Sequence, residues 1–302
     1  MFDICLLGTS GMMPLPNRFL TSLMVRYNGH SFLIDCGEGT QTSIRMRGWS
    51  FKDIDVLMIT HFHADHISGL PGLLLAMTNS DKTDSLTIIG PKCLSRVVNA
   101  LRVITPEISF PINFIELNAN STFTLYDITI NAFKVNHGMP CYGYSLELGR
   151  LGKFDVDTAK ALNIPVKYWT KLQHGDTIDG FTPDMVMSAP RKGLKVIYCT
   201  DTRPTNSIVD YAKNSDLFIC EGMYGDTDDE TKTKARQKKH MLMTEAVDLA
   251  LTANVSELWL THFSPSMTAP QKYEKMLKKI FPNTIVGEDR MTVTLKFDDS
   301  FI

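Results

Sequence analysis

Short apolar runs bounded by polar or glycine punctuation recur along the whole chain: FDICLL, SLMVRY, SFLID, VLMIT, LTIIG, ITINAFKV, KVIYC, LFICE, ELWLT and TVTLKF. Their length and β-branched content predict strands. Helix-like segments lie between several of them, near 66–77, 91–103, 206–213, 242–253 and 269–279. The stretch LMTEAVDLALTA at 242–253 carries the i, i+4, i+7, i+8 stripe of a packing helix. This alternation, with a β-rich middle at 112–148, predicts an α/β protein whose sheets pack together with helices outside. No long low-complexity linker divides the chain, so 1–302 reads as a single domain. The exception is 150–180, RLGKFDVDTAKALNIPVKYWTKLQHGDTIDG, where a short helix, a proline, aromatics and charges break the pattern. Such an excursion is a functional protrusion or a variable loop.

Composition adds little to the fold but removes alternatives. A chain of 302 residues, 43% hydrophobic and 21% charged, can bury a core without disulfides. The six cysteines form no CxxC pair and several sit inside apolar runs, which predicts buried thiols in a reducing compartment. The N-terminal stretch has no basic region and no apolar run approaches the roughly 18 residues that span a bilayer, so a cytoplasmic protein without membrane contact is expected. A net charge of -2 gives no global attraction to nucleic acid. The local exception is Lys232 to His240, KTKARQKKH, preceded by the acidic DTDDE. It reads as the solvated face of a helix or as a phosphate-binding patch.

Five strand-like runs each end on one ionisable residue: VLMIT on His61, INAFKV on His137, KVIYC on Asp201, LFIC on Glu221 and ELWLT on His262. The first continues as HFHADH, placing His61, His63, Asp65 and His66 within six positions. Two imidazoles two apart in extended chain face the same way, and Asp65 and His66 reach round the following turn. Imidazole and carboxylate suit zinc, and also iron or manganese. With His137, Asp201 and His262 the set exceeds one tetrahedral site. The expected arrangement is His61, His63 and His137 on one ion and Asp65, His66 and His262 on the other, with Asp201 between them. Two such ions lower the pKa of a bridging water and clamp the oxygens of the attacked group, which is hydrolase chemistry. His240 ends the basic run and is a candidate proton donor oriented by Glu221, with a purely structural role as the alternative. His30 and His174 read as solvated.

Together ITHFHADHISGLPGLL, YCTDTRP and LTHFSP resemble the metallo-β-lactamase superfamily, and LIDCGEGTQ, GLPGLL, FDVDTAKALNIP and APRKG resemble its ribonuclease Z family, over nearly the whole chain. The resemblance implies an αββα four-layer sandwich, two Zn2+ ions per chain (Mn2+ or Fe2+ as alternatives), a homodimer and cleavage of 3′ trailers from pre-tRNA. It also implies Asp65 as general base, His240 with Glu221 as leaving-group relay, and 150–180 as an arm that grips tRNA by shape. Arg18, Lys238 and Lys239 are the candidate substrate-binding residues. Departures from the family pattern fall on the substrate side: PLPNRF at 14–19 lacks the lysine and asparagine of P-x-K-x-R-N, VKYW replaces Gly-Pro after Ile164-Pro165, His240 is followed by Met241-Leu242, and the Arg-Tyr after T-H-x-S is absent. All seven expected ligands are present. The competing readings are a hydrolase of a small or cyclic phosphodiester, a thioesterase of glyoxalase II type, and an inactive RNA- or protein-binding relative.

Overall fold

The computed structural model describes residues 1–298. The first sheet is built from β1 (Phe2–Gly8), β2 (Ser22–Tyr27), β3 (His30–Ile34), β4 (Ile54–Met58), β5 (Leu86–Pro91) and β6 (Ile112–Leu117). The second takes β7 (Ser121–Leu125), β8 (Ile128–Lys134), β9 (Tyr142–Arg150), β10 (Arg191–Cys199), β11 (Leu217–Glu221), β12 (Leu258–Thr261) and β13 (Thr284–Val286), after which β14 (Thr292–Leu295) returns to pair with β1. Each sheet is half antiparallel and half parallel: β3, β4, β5 and β6 run parallel in the first, and β10, β11, β12 and β13 in the second. The strands β4, β11 and β12 are buried at every position, as parallel strands covered on both faces must be. This is why they appear in sequence as unbroken apolar runs.

Helices cover both outer faces. On the first sheet lie α1 (Thr40–Arg47), α2 (Ala64–Ile67), α3 (Leu70–Thr78) and α4 (Leu94–Arg102), sharing a core with Leu33, Leu57 and Ile88. Between β9 and β10 come α5 (Val156–Ala161) and α6 (Val166–Gln173); α7 (Asn206–Ala212), α8 (Asp229–Lys238), α9 (Met243–Thr252) and α10 (Glu274–Leu277) follow. Of these, α7, α9 and α10 pack on the second sheet around Ile197, Phe218 and Leu260. A third core, with Ile4, Val25 and Val56 from one sheet and Ile130, Leu146 and Tyr198 from the other, fills the space between the sheets. The result is the four-layer αββα sandwich expected.

The excursion leaves the second sheet at the end of β9 and returns at Arg191, so it continues beyond 180 to Pro190. It contains two helices rather than one, with Pro165 between them, and closes a small core of Ala159, Ile164, Leu172 and Val186. Lys153, Lys160, Lys167 and Lys171 remain exposed on it. All six cysteines are free; five are buried as expected, whereas Cys93 is exposed at the start of α4, where the chain turns in a left-handed conformation. His30 is not simply solvated: its Nδ1 pairs with Asp55 at 2.6 Å and its ring stacks on Tyr126. Among the described residues no helix is long and apolar enough to cross a membrane.

The inter-sheet core predicts a sharp contrast between two leucines. Leu146→Ala, at a fully buried position between the sheets, is expected to lower the unfolding free energy by about 2–5 kcal/mol in urea titration. Leu162→Ala, on an exposed position of the excursion, is expected to stay within about 0.5 kcal/mol of the parent.

Candidate metal centre

The parallel strands point their carboxyl ends toward one edge of the sandwich, and the loops there bring the predicted residues together. His61 and His63 follow β4, and Asp65 and His66 lie on α2, so the first sheet supplies HFHADH as one turn. The second sheet supplies His137 after β8, Asp201 after β10 and His262 after β12. Asp35, Asp201 and His262 sit just past strand ends with φ of 59°, 54° and 56°. This left-handed conformation, tolerated best by Asp, Asn and His among non-glycine residues, turns the chain abruptly, aiming Asp201 and His262 into the cluster and Asp35 at the back of His66.

The metal-ligating atoms divide into two groups. His61 Nε2 lies 2.9 Å from His63 Nδ1, which is 3.3 Å from His137 Nε2. On the other side His66 Nε2 lies 3.2 Å from His262 Nε2, and Asp65 Oδ2 is 3.6 and 3.4 Å from the same two atoms. Asp201 stands between the groups. Its Oδ1 is 3.8 Å from both His61 Nε2 and His137 Nε2, and its Oδ2 is 3.0 and 3.1 Å from His66 Nε2 and His262 Nε2. The structure therefore brings all seven residues together, in two groups on either side of Asp201.

Residues behind the ligands decide which nitrogen faces the cleft. Asp35, fully buried, accepts from His66 Nδ1 at 2.7 Å and from the Thr60 main-chain N–H and hydroxyl. The same Thr60 oxygen is 3.0 Å from His61 Nδ1, and the Lys239 carbonyl is 3.4 Å from His137 Nδ1. In each case Nδ1 is engaged and Nε2 is left for a metal. Met12 donates its main-chain N–H to Asp65 Oδ2 at 2.7 Å. Gly11 allows that loop to close, since a Cβ there would lie 2.6 Å from the His262 ring. Sequence reasoning assigned no role to Asp35, Thr60, Gly11 or Met12. The LIDCG run contained Asp35, but nothing in its spacing links it to a histidine 31 positions later.

The electrostatics suit cations. Burial, followed by repulsion from His66, holds the His61 imidazole well below its usual range and therefore neutral. Burial also opposes charge on His66, yet Asp201 and Asp35 outweigh it and raise this imidazole well above its usual range. The carboxylates thus draw positive charge into the centre of the cluster. Asp201 Oδ2 is buried and accepts no hydrogen bond from the described residues, although two imidazole nitrogens flank it. A buried carboxylate oxygen without a donor is costly unless a cation faces it. Donor type, spacing and this orphaned oxygen all fit divalent metal ions.

His240 enters the same cleft from α8. That helix begins with an Asp228 side-chain cap and ends where Lys239 adopts φ 57°, which swings His240 inward. His240 Nδ1 pairs with Glu221 Oε2 at 2.9 Å, and Glu221 Oε1 accepts from Thr202 N–H. Burial lowers the proton affinity of this imidazole, but Glu221 more than compensates and its pKa rises to about 9. The cavity over the cluster has a volume of about 470 Å3 and is lined by Met12, Tyr224, Lys234, Lys238, Pro265 and Ser266 besides the histidines. Of the predicted substrate residues, Lys238 lines it. Arg18 instead donates to the carbonyls of Met267 and Ser264, and Lys239 Nζ to the carbonyl of His137. Lys234, over the Tyr224 ring, fell within the basic run but was not singled out, because a lysine within a basic helix carries no periodic signal of direction.

Fold and site together define a metallo-β-lactamase-fold protein. The structure is similar to the metallo-β-lactamase fold protein YhfI from Bacillus subtilis, with a TM-score of 0.69 at 20% identity, covering 97% of this chain and 98% of that one. It is equally similar to the short form of human tRNase Z, with a TM-score of 0.69 at 22% identity, covering 98% of this chain and all of that one. In sequence it is 60% identical over 304 aligned positions to a ribonuclease Z from Lachnospira eligens, covering 99% of each chain. The chain belongs to the ribonuclease Z family and, over residues 2–178, to the family described as Anti-Pycsar protein Apyc1.

The contacts behind the ligands yield a prediction that needs no substrate. Asp35→Asn removes the charge facing His66 and is expected to weaken metal affinity roughly 10- to 100-fold. Chelator competition with metal-loaded protein measures this, and an unchanged affinity would contradict the role given to Asp35.

Proposed function

We propose that the protein is a dinuclear zinc endonuclease that removes 3′ trailers from pre-tRNA, working as a homodimer. The observation that carries this reading is the placement of His240, held by Glu221, in the same cavity as the two ligand groups, its Nδ1 3.8 Å from Asp201 Oδ1. A hydrolase needs a nucleophile on one side of the scissile bond and a proton donor on the other; in this reading the seven residues would hold the metal-activated water and His240 is the donor. Full-length similarity to proteins named ribonuclease Z supports RNA as the substrate.

Two ions held by the seven ligands would activate water and neutralise charge on the phosphate. The remaining steps belong to the chain. Asp65, held by Met12 N–H, takes the proton of the attacking water. As the bond from phosphorus to the leaving ribose oxygen breaks, His240 gives that oxygen a proton from Nε2, its Nδ1 being occupied by Glu221. Lys234 and Lys238 meet the flanking phosphates, and the excursion between β9 and β10 offers its exposed lysines to the folded tRNA body.

A second reading, hydrolysis of a small or cyclic phosphodiester by the same centre, is favoured by the loop at 14–19, whose arginine is committed to main-chain carbonyls. Metal-loaded protein given a pre-tRNA with a 3′ trailer, beside bis(p-nitrophenyl) phosphate, separates the two. Cleavage of the trailer supports the endonuclease, and turnover of the small ester alone supports the second reading.

The basic helix gives a finer expectation. Replacing both Lys234 and Lys238 by Glu should weaken pre-tRNA binding and flatten the dependence of log affinity on log salt by about 1 per lost phosphate contact. Lys232→Glu, at a lysine paired with Asp229, should leave that slope unchanged. Equal slopes for all three proteins would remove α8 from the RNA interface.

A further inference from the structure

The main chain that carries His240 is held by a side chain outside the cleft. Arg203, two residues beyond Asp201, donates its own main-chain N–H to the Asn136 carbonyl at 3.1 Å. Its guanidinium Nη1 donates to the His240 carbonyl at 2.6 Å and to Glu245 Oε2 at 2.9 Å, while Nη2 donates to Glu245 Oε1. Glu245, in the first turn of α9, also accepts from the main-chain N–H of Leu242 at 2.9 Å. The short connection from α8 to α9 is therefore gripped on both sides of Met241, through the carbonyl before it and the amide after it. Neither Arg203 nor Glu245 lines the metal cavity.

We propose that Arg203 and Glu245 are a positioning pair that fixes the proton donor His240 for leaving-group protonation. The proposal rests on the role given to His240 above. The imidazole has two fixed points. Glu221 holds its Nδ1, and Arg203 holds the carbonyl of the same residue. With the ring restrained only at Nδ1, it can pivot about that hydrogen bond, and a displacement of about 1 Å costs on the order of 100-fold in rate. The fork geometry matters: two parallel N–H bonds to a carboxylate leave the guanidinium plane fixed, so its inner edge meets the carbonyl at one angle. Lysine keeps the charge but offers no such plane. The connection needs this support because its residues lie between helices and have few main-chain partners of their own. The His240 amide bonds back to Ala235, and Met243 reaches Tyr224, but the carbonyl of His240 depends on Arg203.

A positioning role differs from a general structural one in which substrates it affects. Arg203→Lys should lower kcat on pre-tRNA roughly 10- to 100-fold with KM nearly unchanged, because the ribose oxygen leaves poorly without a proton. The same variant should hydrolyse bis(p-nitrophenyl) phosphate at close to the parent rate, since nitrophenolate leaves unprotonated. Introduced into a His240→Ala background, Arg203→Lys should cause no further loss. Glu245→Gln provides a second variant with the same expected pattern, and metal content with the urea midpoint reports whether each protein is folded and loaded. Equal losses on both substrates, or an undiminished loss in the His240→Ala background, would overturn the positioning role. Full pre-tRNA activity in His240→Ala itself would overturn the assignment of His240, a separate result from failure of Arg203→Lys.

Discussion

The Asp201 carboxylate is where the two sheets share one site. One oxygen faces the His61, His63 and His137 group and the other faces Asp65, His66 and His262. Because His61 to His66 come from the first sheet and His137, Asp201 and His262 from the second, the distance between sheets sets every spacing between these two sets. That distance is fixed by the packed core between them, so the interior of the sandwich and the chemistry at its edge are one problem. Gathering five imidazoles and two carboxylates in a cleft where His61, His66 and His262 are fully buried is costly without cations. Metal binding is accordingly part of what stabilises this edge of the fold.

Around Asp201 the chain is arranged so that three of the histidines and Asp65 are held from behind. Asp35, Thr60 and the Lys239 carbonyl engage the outward nitrogens of three histidines, while Met12 holds Asp65. Residues 201–203 extend this logic along the sequence. Asp201 faces the clustered histidines, Thr202 N–H meets Glu221, and Arg203 meets the main chain of His240. One short turn after β10 thereby positions a candidate metal ligand, the carboxylate partner of His240 and the backbone of His240 itself. The backbone strain at Asp35, Asp201 and His262 is the local cost of aiming side chains from strand ends.

The sequence was most readable where burial is periodic or complete. The runs VLMIT, LFICE and ELWLT are strands because parallel strands covered on both faces must be apolar throughout, and the ligands follow because such strands end at the site. Elements with few buried apolar side chains left a weak pattern. Helix α8 buries only Ala235, α1 is largely polar, and β13 is three residues long. The tertiary partners of the ligands were also hidden, since Asp35 and His66, or Arg203 and Glu245, meet only after the chain has folded. Arg18 and Lys239 show the converse. Each looked like a cation awaiting a phosphate, and each is occupied by main-chain carbonyls. Charge is visible in a sequence, but its direction is set by packing.

Under the proposed function, substrate choice lies outside the seven candidate ligands, in the Tyr224, Lys234 and Ser266 side of the cavity and in the excursion before β10. The proposed bond-breaking centre depends on a single carboxylate that stands between the two groups of candidate ligands. Loading the protein with Mn2+ and recording its electron paramagnetic resonance spectrum tests that directly. Two ions per chain with an exchange-coupled spectrum are predicted, because Asp201 joins the two positions. One ion per chain at saturation, or the spectrum of isolated uncoupled ions, would contradict the account.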